Sequence, residues 1–158
     1  SVPAFLQIFA KQMPFKKFVK RAPLKSGCYY KLFYMFTRKA TIEDLQDLSN
    51  LFNQYRIFYN KESDLEAAKN FLKERLENQD SEIFVFEEKG ILTGFTQLYP
   101  LFTSTRMKKY WLLNDLFVNE KFRGQGHSKA LLEKAKELCV TTNAYGILLE
   151  TAKNNTFS

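Results

Sequence analysis

From Phe36 onward the apolar positions recur with a period that changes along the chain, and each period predicts an element. Residues 36–40 read as a short strand. Thr41 with Asp44 is an N-cap signal, and Leu45, Leu48, Phe52 and Tyr55 then return at helical spacing on one face. Ser63 with Glu66 predicts a second capping box, opening a helix whose apolar face is Leu65, Ala68, Leu72 and Leu76. Residues 82–88 and 91–101 read as strands joined by the turn Glu88-Lys89-Gly90, and Gly94 inside the second marks a bulge or a close backbone approach. Residues 110–118 predict a third, strongly apolar strand. A helix with Leu131, Ala135, Leu138 and Cys139 facing inward follows the glycines at 124 and 126. Residues 145–151 carry too few polar side chains for a half-exposed strand, which predicts a central one. The order β-α-α-β-β-β-α-β, without internal repeat, predicts an α/β (α+β) class: a mixed sheet with helices on its faces.

The first 34 residues break this regularity. Phe5, Phe15, Phe18, Tyr29, Tyr30, Phe33 and Tyr34 are scattered among lysines, and Pro3, Pro14 and Pro23 interrupt any helix. The net charge of +7 belongs to this segment alone. Residues 1–35 hold Lys11, Lys16, Lys17, Lys20, Arg21, Lys25 and Lys31 and no acid, leaving 17 of the 24 basic residues against 17 acidic ones. A membrane-surface or nucleic-acid arm is one reading of the segment. The preferred reading is a disordered or non-native leader over 1–34, ahead of a single domain over 35–158. Charge follows its short apolar stretch, the reverse of a secretory signal.

Composition narrows the setting. The 158 residues, 45% of them hydrophobic, suffice for one core, and no run approaches the roughly 20 apolar residues of a membrane-spanning helix. Cys28 and Cys139 lie far apart, a usage expected in a reducing cytoplasm. His127 is the sole histidine, so no metal site is expected.

Candidate chemistry concentrates in residues 116–132. The strand end Leu116-Phe117-Val118 passes through Asn119-Glu120-Lys121-Phe122 into Arg123-Gly124-Gln125-Gly126-His127-Ser128-Lys129 and directly into a helix. Unpartnered amides and the dipole at such a helix start form an anion site suited to pyrophosphate. Glycines at 124 and 126 permit positive φ and close backbone approach, and Arg123 and Lys129 add positive charge. A Walker A loop is excluded, because no glycine pair has its spacing and Lys129 follows Ser128. A dinucleotide fingerprint fails where its third glycine would fall on Lys129.

The stretch resembles the signature of the GNAT family of N-acetyltransferases: Arg or Gln, two residues, Gly, one residue, then Gly or Ala. Here it stands as Arg123-Gly124-Gln125-Gly126-His127-Ser128, with serine in the last place. The preceding Leu112-Leu113-Asn114-Asp115-Leu116-Phe117-Val118 strand and the order of elements are also the family's, over about residues 36–156. The chain looks most like bacterial members with the strand Gly94-Phe95-Thr96-Gln97-Leu98-Tyr99-Pro100.

The resemblance implies a mostly antiparallel sheet, acetyl-CoA as acetyl donor, and direct transfer to a primary amine of a small molecule or a protein. Leu116, Phe117 and Val118 would lie on a bulged strand that pairs with the pantetheine arm. Arg123, Gly124, Gln125, Gly126, His127, Ser128 and Lys129 would hold the pyrophosphate. Asn155, or Asn154 by a one-residue shift, would lie beside the arm. Val118 would supply the oxyanion-stabilising amide. A tyrosine about seven residues past Asn155 would protonate the thiolate, and the sequence ends at Ser158. The last helix and strands are therefore expected to be missing, and an inactive core that at most binds CoA is the alternative function.

Asp115 is the candidate general base or amine anchor, with a buried structural carboxylate as the competing reading. Tyr55 and Tyr59, with Arg56 and Phe58, are the acceptor-site candidates. Gln97 and Tyr99 are weaker ones, and Glu150 and His127 are minor candidates for a base. The expected partner is the amine substrate, with nucleic acid and metal disfavoured and a homodimer allowed.

Overall fold

The computed structural model describes residues 35–149. The leader over 1–34 and the residues from Glu150, including Asn154 and Asn155, lie outside the described residues. The elements are β1 (Met35–Lys39), α1 (Leu45–Phe58), α2 (Leu65–Asn78), β2 (Glu82–Glu88), β3 (Ile91–Thr103), β4 (Lys108–Val118), α3 (His127–Thr141) and β5 (Ile147–Leu149). Their order is the expected one.

Local chemistry sets the helix starts. A single 3-10 turn, Ile42–Asp44, leads into α1. The Asp44 carboxylate accepts the Thr41 amide at 2.8 Å and both terminal nitrogens of Arg38 at 2.7 Å. That guanidinium holds the Asp44 carboxyl below the usual carboxylate value and staples the end of β1 to the start of α1. The Ser63–Glu66 capping box does not form. Asp64 caps α2 instead, accepting the Ala67 amide at 2.9 Å. Ser63 Oγ is taken by Asn53 Nδ2 at 2.9 Å, and Asn53 Oδ1 accepts the Asp64 amide at 3.0 Å, so the loop is fixed from α1.

The strands form one sheet in the order β1-β2-β3-β4-β5. Every pair is antiparallel except β4 with β5, which is parallel. The expected central position of the last strand is not met among the described residues, where β5 is the end strand. Its apolar run is explained by packing instead: Ile147 and Leu149 belong to the core beneath α3.

Each face has its own core. Leu48, Leu51 and Phe52 of α1 and Ala68 and Leu72 of α2 pack on Ile83, Val85, Phe95 and Phe117. On the other face Leu131, Ala135 and Cys139 of α3 pack on Phe84, Phe86, Leu98, Trp111 and Leu113. Full burial of such a side chain contributes about 1.5–3 kcal/mol. The Trp111 indole, on β4, donates to Thr142 Oγ1 at 2.9 Å and so pins the far end of α3 to the sheet.

The β3–β4 ladder slips by one residue. Leu98 pairs with Leu113, but Gln97 pairs with Asp115, leaving Asn114 as the extra residue of a β-bulge. Because strand side chains alternate between faces, the insertion inverts the parity of everything after it. Trp111 and Leu113 face α3; beyond the bulge Phe117 packs in the core under α1 and α2, while Leu116 and Val118 pack on the α3 side.

Gly94, at the paired position opposite Val118, is a site of close approach. A Cβ there would lie 2.7 Å from the Phe117 carbonyl oxygen. Gly94→Ala should therefore force β3 away from β4 and lower stability by about 1–3 kcal/mol, as for other overpacked sites. Urea denaturation of the two proteins measures the difference; an unchanged midpoint would contradict a rigid close approach.

Candidate functional site

The Asn119 amide bonds the Thr93 carbonyl at 2.9 Å and fixes which edge of β4 each amide faces. Amides alternate between strand edges, so those of Leu116 and Val118 face away from β3. Arg123 Nε donates to the Val118 carbonyl oxygen at 3.1 Å from that same edge. β5 pairs there only with Trp111, Leu112 and Leu113. Among the described residues, the Leu116–Val118 stretch therefore presents one edge with no strand partner.

The loop leading to α3 opens beside this edge. The Arg123 amide is turned to the Glu120 carbonyl at 3.3 Å, and the Arg123 guanidinium lies over the rings of Phe58 and Phe117. Arg123 thus braces the end of β4, and its side chain is engaged there. Gln125 Nε2 reaches back to the Lys121 carbonyl at 3.3 Å. Gly124 and Gly126 have φ of +74° and +88°, with open space where a side chain would stand. The first helical bond of α3 runs from the Ala130 amide to the Gly126 carbonyl at 3.0 Å. The amides of His127, Ser128 and Lys129 precede it and have no partner within the helix. No side chain caps this terminus, and no acid lies in its first turn. Exposed glycines, free amides and the dipole make an anion cradle.

His127 opens α3 but turns its ring into the protein, where the residue is 1% exposed. Its Nδ1 lies 3.0 Å from Thr93 Oγ1 and its Nε2 lies 3.5 Å from Glu88 Oε2. The ring stacks on Phe86 with centroids 4.0 Å apart. Burial pushes the imidazole below its ordinary value, against the pull of Glu88. This histidine anchors the first turn of α3; only its backbone faces the cradle.

Beyond the bulge, Asp115 is 5% exposed and sits on the face covered by α1. Burial raises its pKa; the Tyr55 hydroxyl and Asn114 Nδ2, the latter at 3.1 Å, act in the opposite direction. Beside it on β3 lies Gln97, fully buried, with Nε2 bonded to Ser81 Oγ at 2.9 Å and Oε1 without a partner among the described residues. Tyr55 and Tyr59 meet edge to face at 5.0 Å, and burial also pushes the Tyr99 hydroxyl up, to about 12.

The structure thus brings together the strand end 116–118, the loop 123–129 and, on the other face, Asp115 with Tyr55, Tyr59 and Gln97. Thr93, Glu88 and Ser81 escape the sequence reading. The polar pair Asn114-Asp115 inside an apolar strand was the available signal for the bulge. Thr93 beside Gly94 carries no comparable signal, because its partner His127 is 34 residues away.

Comparison with known proteins agrees with this fold. The model of the acetyltransferase (GNAT) family matches residues 45–158. An uncharacterised N-acetyltransferase, YhfO of Bacillus subtilis (strain 168), is 46% identical over 121 residues, which are 77% of this chain and 81% of that protein. A crystal structure of a probable acetyltransferase superposes with a TM-score of 0.73 at 38% identity, covering 77% of this chain and 82% of the other. A predicted acetyltransferase of Clostridium acetobutylicum, solved with acetyl-CoA, has a TM-score of 0.64 at 17% identity and covers 76% and 82%, a likeness of fold.

A raised Asp115 pKa has a consequence for stability. The native state holds this proton more tightly than the unfolded chain, so stability falls as pH rises from the ordinary value of 3.8 through the raised native one. Asp115→Asn removes that dependence. The variant should melt higher than the parent at neutral pH, with the gain vanishing below the ordinary carboxylate range. Thermal melts from acidic to neutral pH check this, and a lower neutral melting point would contradict it.

Proposed function

This chain belongs to the acetyltransferase (GNAT) family, and on that premise we propose that it transfers the acetyl group of acetyl-CoA to a primary amine by direct attack. The observation that carries the reading is the pairing of a β4 edge at Leu116–Val118, without a strand partner among the described residues, with the uncapped start of α3. An extended amide-bearing arm fits the first by strand addition, and a pyrophosphate fits the second. Leu116, Phe117 and Val118 would hold the pantetheine arm. Gly124, Gln125, Gly126 and the backbones of His127, Ser128 and Lys129 would hold the phosphates, with Arg123 bracing the junction. Asn155 is the remaining expected contact and lies outside the described residues.

The chemistry asks little more of the protein. The amine nitrogen bonds to the thioester carbonyl carbon, the carbon–sulfur bond breaks, CoA departs as a thiol, and the nitrogen gives up a proton. The outward Val118 amide is the donor for the developing oxyanion. Asp115 anchors the acceptor amine as base or hydrogen-bond acceptor, its raised pKa bringing it nearer the working range of a general base. Tyr55 and Tyr59 stand on the acceptor side. Among the described residues there is no group of side chains that could hold a metal ion, and no helix is long and apolar enough to cross a membrane.

Two measurements test the reading. Calorimetric titration with acetyl-CoA should show binding, and Gly126→Val should weaken it at least about tenfold, because a β-branched residue is strained at φ of +88°. Parent binding equal to the variant's would remove the loop from the site. The rate of CoA release with an amine acceptor should fall on acidification at a higher pH than an ordinary carboxylate would give. Binding without release for any amine would favour a non-catalytic core.

A further inference from the structure

The α1–α2 cleft carries charged side chains of one sign. It is an open cleft of about 650 Å³, a size typical of small-molecule sites, and its wall includes Phe52, Tyr55, Arg56, Tyr59, Lys61 and Phe71. Phe52 and Phe71 stack at 5.5 Å with their planes 11° apart, giving a flat apolar wall. Among the described residues, the only charged ones that line the cleft are the cations Arg56 and Lys61. Neither has an ion pair among the described residues: Arg56 Nη1 reaches only the Asp64 carbonyl, at 3.4 Å. The neighbouring Asp64 carboxylate is turned to the Ala67 amide at 2.9 Å and caps α2.

The opposite charge lies deeper. Tyr55 lines the cleft with its ring and turns its hydroxyl to Asp115, whose strand neighbour Gln97 leaves Oε1 unpartnered at 0% exposure. A carboxylate and a free carbonyl oxygen both want N–H donors, and a buried acceptor without one is costly. One aromatic ring thus separates a base that accepts N–H groups from a mouth lined with unpaired cations.

We infer that the acceptor is a small primary amine carrying an anionic group on the far side of a flat apolar body, the amine directed toward Tyr55 and the Asp115 carboxyl behind it and the anion to Arg56 and Lys61. This rests on the acetyltransferase reading above and deepens it. A polycationic amine meets repulsion at the mouth and finds no carboxylate on the cleft wall.

The test compares para-(aminomethyl)benzoate, its neutral isostere para-(aminomethyl)benzamide, and an aminoglycoside, by CoA release with the full chain. Acetyl-CoA binding is measured on the same samples. The benzoate should exceed the benzamide in kcat/KM by about tenfold and the aminoglycoside by more. In Arg56→Gln/Lys61→Gln the benzoate-to-benzamide ratio should collapse toward one, a readout that a loss of folded protein does not move. Acetyl-CoA binding with no preference for the benzoate, including no transfer to any of the three, overturns the acceptor class and leaves the cofactor reading standing. Absence of acetyl-CoA binding overturns the acetyltransferase reading itself, and this inference with it.

Discussion

A single extra residue in β4 governs the geometry. Were Asn114 to take an ordinary paired position instead of bulging, Asp115 would follow Leu113 onto the α3 face. The bulge sends it beneath α1 and toward Tyr55 instead. The same slip exchanges the edges to which backbone groups point. Before it, the Trp111 amide bonds Gly146 on the β5 side; after it, the Asn119 amide bonds Thr93 on the β3 side. Leu116 and Val118 are thereby left to face outward. One insertion supplies both the buried carboxylate and the open backbone edge, which an uninterrupted strand could not present together.

The rest of the fold holds that arrangement rigid. Phe95 and Phe117 lie at partnered positions of β3 and β4 and pack with Phe52 and Tyr55, so α1 is referenced to the post-bulge register. Gly94 allows the two strands to meet where a side chain would part them. On the opposite face, His127 sits between Thr93, Glu88 and Phe86, setting where the free amides of α3 begin. The helix start owes its position to a buried ring, not to a cap.

Most of the element order was legible because the apolar periods are strong: β2 falls on the expected residues 82–88, and α3 buries Leu131, Ala135 and Cys139 as its spacing requires. The loop was legible because two glycines between a strand and a helix have few other uses. What sequence could not supply was competition between partners. Ser63 has the right spacing for a cap, yet Asn53 takes its hydroxyl. Residues 145–151 have the apolarity of a central strand, yet among the described residues β5 ends the sheet and Ile147 and Leu149 pack beneath α3. The Arg123 side chain also engages the Val118 carbonyl and two aromatic rings, contacts its charge alone does not announce. Each is settled by which neighbour arrives first in three dimensions.

The chain contains one histidine and one tryptophan, and the fold puts them at opposite ends of the same helix. His127 begins α3, and the Trp111 indole bonds Thr142 just past its last turn. The imidazole therefore gives the chain's sole pair of histidine ring C–H resonances in a proton spectrum, and the indole is the sole tryptophan emitter. Between them they form a natural pair of spectroscopic markers, one for the seating of the helix start and one for its end, with no label introduced.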